Sequence, residues 1–115
     1  MPESPKNYIP LFSRRLKDAR IKAGLSQKRL GIEAGIDEFV ASTRINRYEK
    51  GVHQADEATA ILLARVLGIP LAYFYAEDDS LAEMILEFCQ LNRTEKNEVL
   101  DLVQKNLVQK KPKPE

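Results

Sequence analysis

The chain has 115 residues, which is enough for one compact domain with a core and too few for two ordinary ones. Its hydrophobic content of 43% and charged content of 30% are typical of a soluble globular protein, and no apolar run approaches the ~20 residues of a membrane helix. The amino terminus, MPESPKNYIP, lacks the basic start and apolar core of a signal peptide, and the single cysteine excludes an internal disulfide. We therefore expect a cytoplasmic protein without a membrane partner.

The net charge of +1 is the sum over three segments, which are basic, acidic and basic in turn. Residues 1–53 carry eleven Lys/Arg and six Asp/Glu, residues 54–104 carry three and ten, and residues 105–115 carry four and one. The basic first half can neutralise DNA phosphates, and the acidic middle should face away from them. Such asymmetry is also ordinary surface variation, so alone it favours nucleic-acid binding only weakly.

Every predicted element is helical, because apolar residues recur at helical spacing and no stretch alternates as a strand does. After a disordered arm over residues 1–10, helices are predicted over residues 11–23, 27–34, 43–50, 56–67 and 70–75. The expected N-caps are Ser13, Ser26 and Ser42, and the expected terminating glycines are Gly24, Gly35, Gly51 and Gly68. The residues expected to face the core include Phe12, Leu16, Ala19, Leu30, Ala34, Ile45, Tyr48, Ala60, Leu63, Ala64 and Leu67.

The carboxy-terminal part carries more apolar surface than one contact face uses. In a helix predicted over residues 81–91, one stripe consists of Leu81, Met84, Ile85 and Phe88, and an adjacent one of Ala82, Leu86 and Cys89. Thr94 is the expected N-cap of a last helix, which carries Val99, Leu100, Val103 and Leu107. One stripe can cover its own domain while the other meets a partner. Residues 80–108 are therefore predicted to dimerise, through Leu81, Met84, Ile85, Phe88, Val99 and Val103, and residues 109–115 to be a disordered tail.

Four segments in order, LKDARIKAGLSQ, AG, INRYEKG and LARVLGIPLAYF, resemble the XRE-type (lambda repressor and Cro-like) helix-turn-helix regulators over residues 11–76. The resemblance implies an all-α fold with a five-helix DNA-binding domain, followed by one or two dimerisation helices. It implies a transcriptional regulator, usually a repressor, that binds a palindromic site in double-stranded DNA as a homodimer and is nucleoid-associated when bound. It also implies that Tyr73, Phe74 and Tyr75 belong to the core.

The candidate DNA contacts lie in the second and third predicted helices. Ser26 places Gln27 and Lys28 at the positive end of the second helix, where a phosphate can bind, and the resemblance gives Gln27 the same role. The outer side of the third helix presents Ser42, Thr43, Arg44, Asn46 and Arg47. Arg44 is the best candidate for a guanine contact and Thr43 for a thymine methyl, whereas Arg47 can read a base or hold a phosphate. Each of these residues is otherwise an ordinary solvated surface residue.

The resemblance also predicts one pair of interacting side chains, and the sequence departs from the family pattern in one segment. Arg20 and Glu49 match family positions whose side chains pair, which would brace the first helix against the end of the third. About four extra residues separate the second and third helices, within residues 36–41. A longer third helix from Asp37 would bring an acid to the DNA groove, so we expect a longer loop with Phe39 or Val40 pinned to the core.

The remaining candidate residues, His53 and Cys89, do not indicate a metal site or a catalytic site. His53 either touches DNA just after the third helix or lies in a loop, and no cluster of ligands surrounds it. Cys89 is expected to be a packed hydrophobe. We expect no cofactor, no metal and no catalytic residue, so the chain is not predicted to be an enzyme. The alternative function is an antitoxin-like or coactivator-like module that binds a protein partner through the acidic C-terminal helices.

Overall fold

Six α-helices and one short 3-10 helix make up residues 8–110, the part of the chain that the computed structural model describes, and no strand occurs among these residues. The elements are α1 (Leu11–Lys22), α2 (Gln27–Glu33), α3 (Ala41–Lys50), α4 (Glu57–Leu67), the 3-10 helix (Leu71–Tyr75), α5 (Asp79–Phe88) and α6 (Arg93–Lys110). The predicted all-α fold is confirmed. The described part leaves out residues 1–7 of the predicted arm and residues 111–115 of the predicted tail. Residues 109 and 110 belong to α6, so the tail was wrongly predicted to begin at residue 109.

Side-chain caps fix where several helices begin. Ser26 Oγ accepts a hydrogen bond from the backbone N–H of Arg29 at 3.0 Å, so the predicted cap of α2 is confirmed. At α4, Asp56 Oδ1 accepts from the backbone N–H of Thr59 at 2.8 Å. Hydrogen bonds from Thr59 hold the pKa of the Asp56 carboxyl below its usual value. The Asp56 cap was not among those predicted, although its bond also spans only three positions.

The predicted caps at Ser13 and Ser42 are wrong, because both residues lie inside their helices. α1 follows Pro10, and Ser13 is 2% exposed in its first turn. α3 follows Val40, which makes no side-chain capping bond, so this helix begins two residues earlier than predicted. Proline suits the position before a helix because its φ is already restricted. The two serines are therefore first-turn residues and not caps.

The predicted cap of the last helix, Thr94, is also wrong. Asn92 Oδ1 accepts from the backbone N–H of Glu95 at 2.8 Å, and Glu95 Oε1 accepts from the backbone N–H of Asn92 at 3.0 Å. This reciprocal pair is a capping box, which satisfies two N–H groups at once. It is stronger than the single bond that a threonine offers, so α6 starts at Arg93.

The core takes one large, fully buried side chain from each of the first five elements. They are Leu16, Leu30, Ile45, Leu63 and Phe74. Phe12 packs edge-on against Phe74, with ring centroids 4.8 Å apart. Burial raises the pKa of Tyr73, which also belongs to this core. Tyr75 is 53% exposed, so its predicted place in the core is wrong.

Arg15 connects α1 to the segment that leads into α5. The residue is 7% exposed, and its Nε and Nη2 atoms donate to the carbonyl oxygen of Ala76 at 3.1 and 2.8 Å. Nη2 also lies 3.0 Å from Asp79 Oδ1, at the first residue of α5. A guanidinium that binds a backbone carbonyl fixes the path of the chain there. Arg15 thereby sets the direction in which α5 leaves the domain formed by α1–α4 and the 3-10 helix.

The last two helices pack very differently from each other. In α5, Ala82 is 2% exposed, and Ile85 and Leu86 pack against the core. No residue of α6 is buried, although the helix has 18 residues. None of the helices in residues 8–110 has both the length and the apolar character needed to cross a membrane.

Gly31 allows α2 and α3 to approach each other closely. A Cβ atom at Gly31 would lie 2.7 Å from Ala41 Cβ and 3.1 Å from both the Cα and the carbonyl oxygen of Ala41. Ala41 is fully buried and is the first residue of α3. Since most of these neighbours are backbone atoms, the contact positions the start of α3 directly.

We expect Gly31→Ala to displace α3 and to lower the free energy of unfolding by ~1–3 kcal/mol, the usual cost of overpacking. Urea unfolding followed by circular dichroism measures this loss. Adding Ala41→Gly removes the nearest atom, so the double variant should lose less than the two single variants together. A wild-type unfolding curve for Gly31→Ala would show that the helices are not in close contact.

Candidate nucleic-acid interface

α3 divides sharply between a buried side and a polar side. Ala41, Ile45, Tyr48 and Glu49 are buried, as their helical spacing requires. The opposite side exposes Ser42, Thr43, Arg44, Arg47 and Lys50. Asn46 lies between the two sides and is half-buried. The polar side therefore offers three cations and two hydroxyl groups with no negative charge among them.

A depression of about 460 Å³ follows this polar side. It is lined by Val40, Thr43, Arg44, Arg47, Tyr48, His53 and Gln54. His53 lies in the loop between α3 and α4, as one of its two interpretations has it, and its side chain lines this depression. Sequence reasoning missed Val40 and Gln54 as members of this surface. No local pattern marks them, because the fold alone brings the turns before and after α3 together.

Arg20 and Glu49 form the predicted brace between α1 and α3. Arg20 Nε lies 2.6 Å from Glu49 Oε2, and Arg20 Nη2 lies 3.1 Å from Glu49 Oε1. The side chains are 14% and 3% exposed, respectively. Arg20 Nη1 also donates to the carbonyl oxygen of Leu25 at 2.9 Å. This bidentate arrangement fixes the rotation of α3 against the rest of the domain.

Gln27 is part of the same brace. Its amide nitrogen donates to Glu49 Oε1 at 3.1 Å and to Asn46 Oδ1 at 3.2 Å. An amide nitrogen has two hydrogens, so both are used within the protein. The Gln27 side chain can reach a phosphate only by exchanging one of these bonds. Lys28, its neighbour at the start of α2, is exposed and free of such ties in the described part of the chain.

A second depression lies beside the end of α3, and Arg14, Lys17 and Lys50 contribute exposed cations to it. Gly51 lies between two residues of its lining, Lys50 and Val52, and ends α3 with a φ of +76°. A Cβ atom at Gly51 would lie 2.5 Å from Pro10 Cδ. The chain just before α1 therefore passes directly over the end of α3. Sequence reasoning missed Arg14 and Lys17, for which the basic character of the first helix was the available signal.

Comparison with known proteins agrees with this geometry. The family model for helix-turn-helix proteins matches residues 16–74, which is more than half of the chain. The crystal structure of transcriptional regulator BswR is similar, with a TM-score of 0.81 and 43% sequence identity over 86% of this chain and 98% of that chain. Curated protein sequences give no match. The chain belongs to the XRE-type helix-turn-helix family.

As an XRE-type regulator, the protein binds DNA and regulates transcription, and it is not an enzyme. The similarity to BswR extends beyond the family-model match, because 86% of the chain is more than residues 16–74. Within residues 8–110, no group of His, Cys, Asp and Glu side chains is placed to hold a metal ion.

The turn of this XRE-type domain is anchored differently from our prediction. Phe39 is 85% exposed and Val40 is 43% exposed, so neither is pinned to the core. Ile36 packs against the core instead, and Ala41 is fully buried. The turn is thus held at its two ends, and α3 begins after it, as the longer-loop interpretation requires. The prediction failed because the larger apolar residues were assumed to be the buried ones.

We expect Glu49→Ala to lower the free energy of unfolding by ~3–5 kcal/mol, because it leaves the Arg20 guanidinium largely buried without its partner. Thermal and urea unfolding measure the loss. Glu33→Ala is the matched control, since its carboxylate lies 2.9 Å from Arg29 Nε on the surface. The control should cost at most ~1 kcal/mol. Equal stability of the two variants would contradict the role of the brace.

Proposed function

We propose that this regulator is a repressor that binds a palindromic operator as a homodimer, with α3 in the major groove of each half-site. The observation that carries the proposal is the cationic, polar side of α3, which a buried ion pair holds in a fixed orientation. A helix presented in this way fits the major groove, whose width admits one α-helix. The resemblance to lambda repressor-like proteins favours repression over activation.

In this proposal Arg44 is the leading base reader. It lies one turn into α3, it is exposed, and it lines the depression together with Thr43 and Arg47. Its planar fork matches the O6 and N7 acceptors of guanine. Thr43 would meet a thymine methyl, and Arg47, one turn further along, would read a base or bind a phosphate.

The remaining contacts are proposed to be with phosphates. Lys28 and the backbone at the start of α2 lie at the positive end of that helix. Ser42 is exposed in the first turn of α3 and supplies a hydroxyl donor. Gln27 donates to Asn46 and to Glu49, so it would have to exchange one of these bonds to bind a phosphate. Asn46 uses only its Oδ1 atom there, which leaves its Nδ2 donor for a contact with DNA.

We expect Arg44→Ala to relax specificity at one position of each half-site, at a cost of ~1–3 kcal/mol in binding. Selection from random duplex DNA, followed by affinity measurement on the enriched sequence, provides the test. Arg65→Ala removes an exposed arginine from α4 and is the matched control. It should keep the wild-type sequence preference. If both variants select identical sequences, Arg44 does not contact a specific base.

The dimer is proposed to form through α5 and α6. Leu81 and Met84 are each 51% exposed on α5, whereas Ile85 and Phe88 are half-buried, and Ile85 already packs against its own core. α6 exposes a larger set of apolar side chains, at 48% to 72%: Leu100, Leu102, Val103, Leu107 and Val108. Helices in proteins gain most of their stability from tertiary packing, and α6 receives little of it within its own chain, where none of its residues is buried.

A second copy of the chain suits this surface because α6 is nearly neutral. Four cations and three anions are spread along Arg93–Lys110, so two copies do not repel each other strongly. Val99 is half-buried near the start of α6, and Val103 lies one turn further. With a two-fold axis between the copies, the half-sites should be ~34 Å apart, which is one turn of DNA.

We expect Val103→Glu to convert the dimer into a monomer, because it places a charge in an apolar interface. Sedimentation at micromolar concentration gives the oligomeric state, and loss of tight binding to the palindrome should accompany the change. Thr94→Glu adds the same charge at an exposed position nine residues before Val103, which is the opposite side of α6, and should remain dimeric. A wild-type protein that sediments as a monomer, or that purifies with a different protein on α5 and α6, would favour the protein-binding alternative.

A further inference from the structure

The turn between α2 and α3 presents its apolar tip to solvent. Its first end is fixed by the backbone N–H of Ile36, which donates to the carbonyl oxygen of Gly31 at 2.9 Å. Its last end is fixed by the buried Ala41. Between them, the backbone N–H of Phe39 donates to Asp37 Oδ2 at 3.3 Å, and the backbone N–H of Val40 donates to the Asp37 carbonyl at 3.0 Å. The turn is therefore an ordered structure that holds Phe39 outward.

Phe39 is the most exposed large hydrophobic residue within residues 8–110, at 85%. A single exposed apolar residue is common and needs no function. Its position is what distinguishes Phe39. It precedes Val40, which lines the depression of α3 with Thr43 and Arg44. The amino-terminal end of a recognition helix is the part that contacts base edges, so Phe39 lies where the groove floor would be.

The charges around the tip make a phosphate contact unfavourable, because Asp37 and Glu38 are both exposed and phosphates would repel them. Asp37 Oδ2 accepts a hydrogen bond from the backbone N–H of Phe39, so the turn holds this carboxylate against its own backbone, which a helix starting at Asp37 would not do. Base edges in the major groove include an apolar group, the C5-methyl of thymine. The Phe39 ring, and not the carboxylates, is therefore the part of the tip that is suited to a DNA contact.

We propose that Phe39, supported by Val40, contacts a thymine methyl group beside the bases that α3 reads, which makes the turn a second determinant of operator specificity. The proposal rests on the proposed operator binding. It gives the extra residues of the turn a function, because they extend the surface proposed to contact bases beyond the start of α3. Because Phe39 is 85% exposed and lies outside the core, its replacement should leave the thermal midpoint unchanged.

Uracil replacement tests the contact, because deoxyuridine lacks only the methyl group of thymidine. The full chain is first used to select its duplex from random DNA, and each thymine of that duplex is then replaced singly. At one thymine per half-site, distinct from the one that Thr43 contacts, the wild-type protein should bind about fourfold more weakly, the factor that ~0.8 kcal/mol for one buried methyl group gives. Phe39→Ala should bind the thymine duplex more weakly and lose this sensitivity. Phe39→Leu should keep part of it.

Leu62→Ala, which trims an exposed apolar residue on α4, is the control and should keep the full sensitivity. If Phe39→Ala binds as tightly as the wild type and responds equally to uracil, the proposal is wrong, while operator binding stands; a protein contact would then be the use of Phe39. If the wild-type protein enriches no duplex at all, operator binding itself fails and this contact fails with it.

Discussion

The buried carboxylate of Glu49 is the constraint on which the orientation of the polar side of α3 depends. It is 5% exposed as a residue and receives hydrogen bonds from Arg20 of α1 and Gln27 of α2. Apolar contacts hold α3 in place but tolerate small rotations, because they have no preferred direction. A buried charge is stable only when its partners are correctly placed. The orientation of Arg44 and Arg47 relative to the domain therefore follows from an ion pair on the other side of the helix.

The sequence predicted well the apolar residues that face the core and the features that match a familiar pattern, whereas three of the four predicted caps, Ser13, Ser42 and Thr94, are wrong. The cap at Ser26, the inward residues Leu16 and Ile45, and the Arg20–Glu49 pair are all present. The pair is 29 residues apart in the chain, so only the family pattern made it predictable. Local chemistry and resemblance thus account for the domain and for its brace.

The features that escaped prediction depend on contacts with backbone atoms of distant segments. Arg15 binds the carbonyl of Ala76, 61 residues away, and a backbone carbonyl leaves no trace in the sequence. Gly31 contacts Ala41 because neither residue has a large side chain. Phe39 and Val40, which directly precede Ala41, are more hydrophobic and yet exposed. Close packing favours burial of the smaller residue, Ala41, whereas hydrophobicity alone predicts burial of Phe39 or Val40.

The contact between Pro10 and Gly51 has a practical consequence for handling the protein. Since the chain enters α1 across the end of α3, a tag at the amino terminus is tethered through Tyr8 to the side of the domain that carries the cationic depression. Acidic residues in such a tag would be attracted to Arg14, Lys17 and Lys50. A tag at the carboxy terminus is tethered instead to α6, a helix that contributes no buried residue to the domain. The carboxy terminus is therefore the better site for a tag when DNA binding is measured.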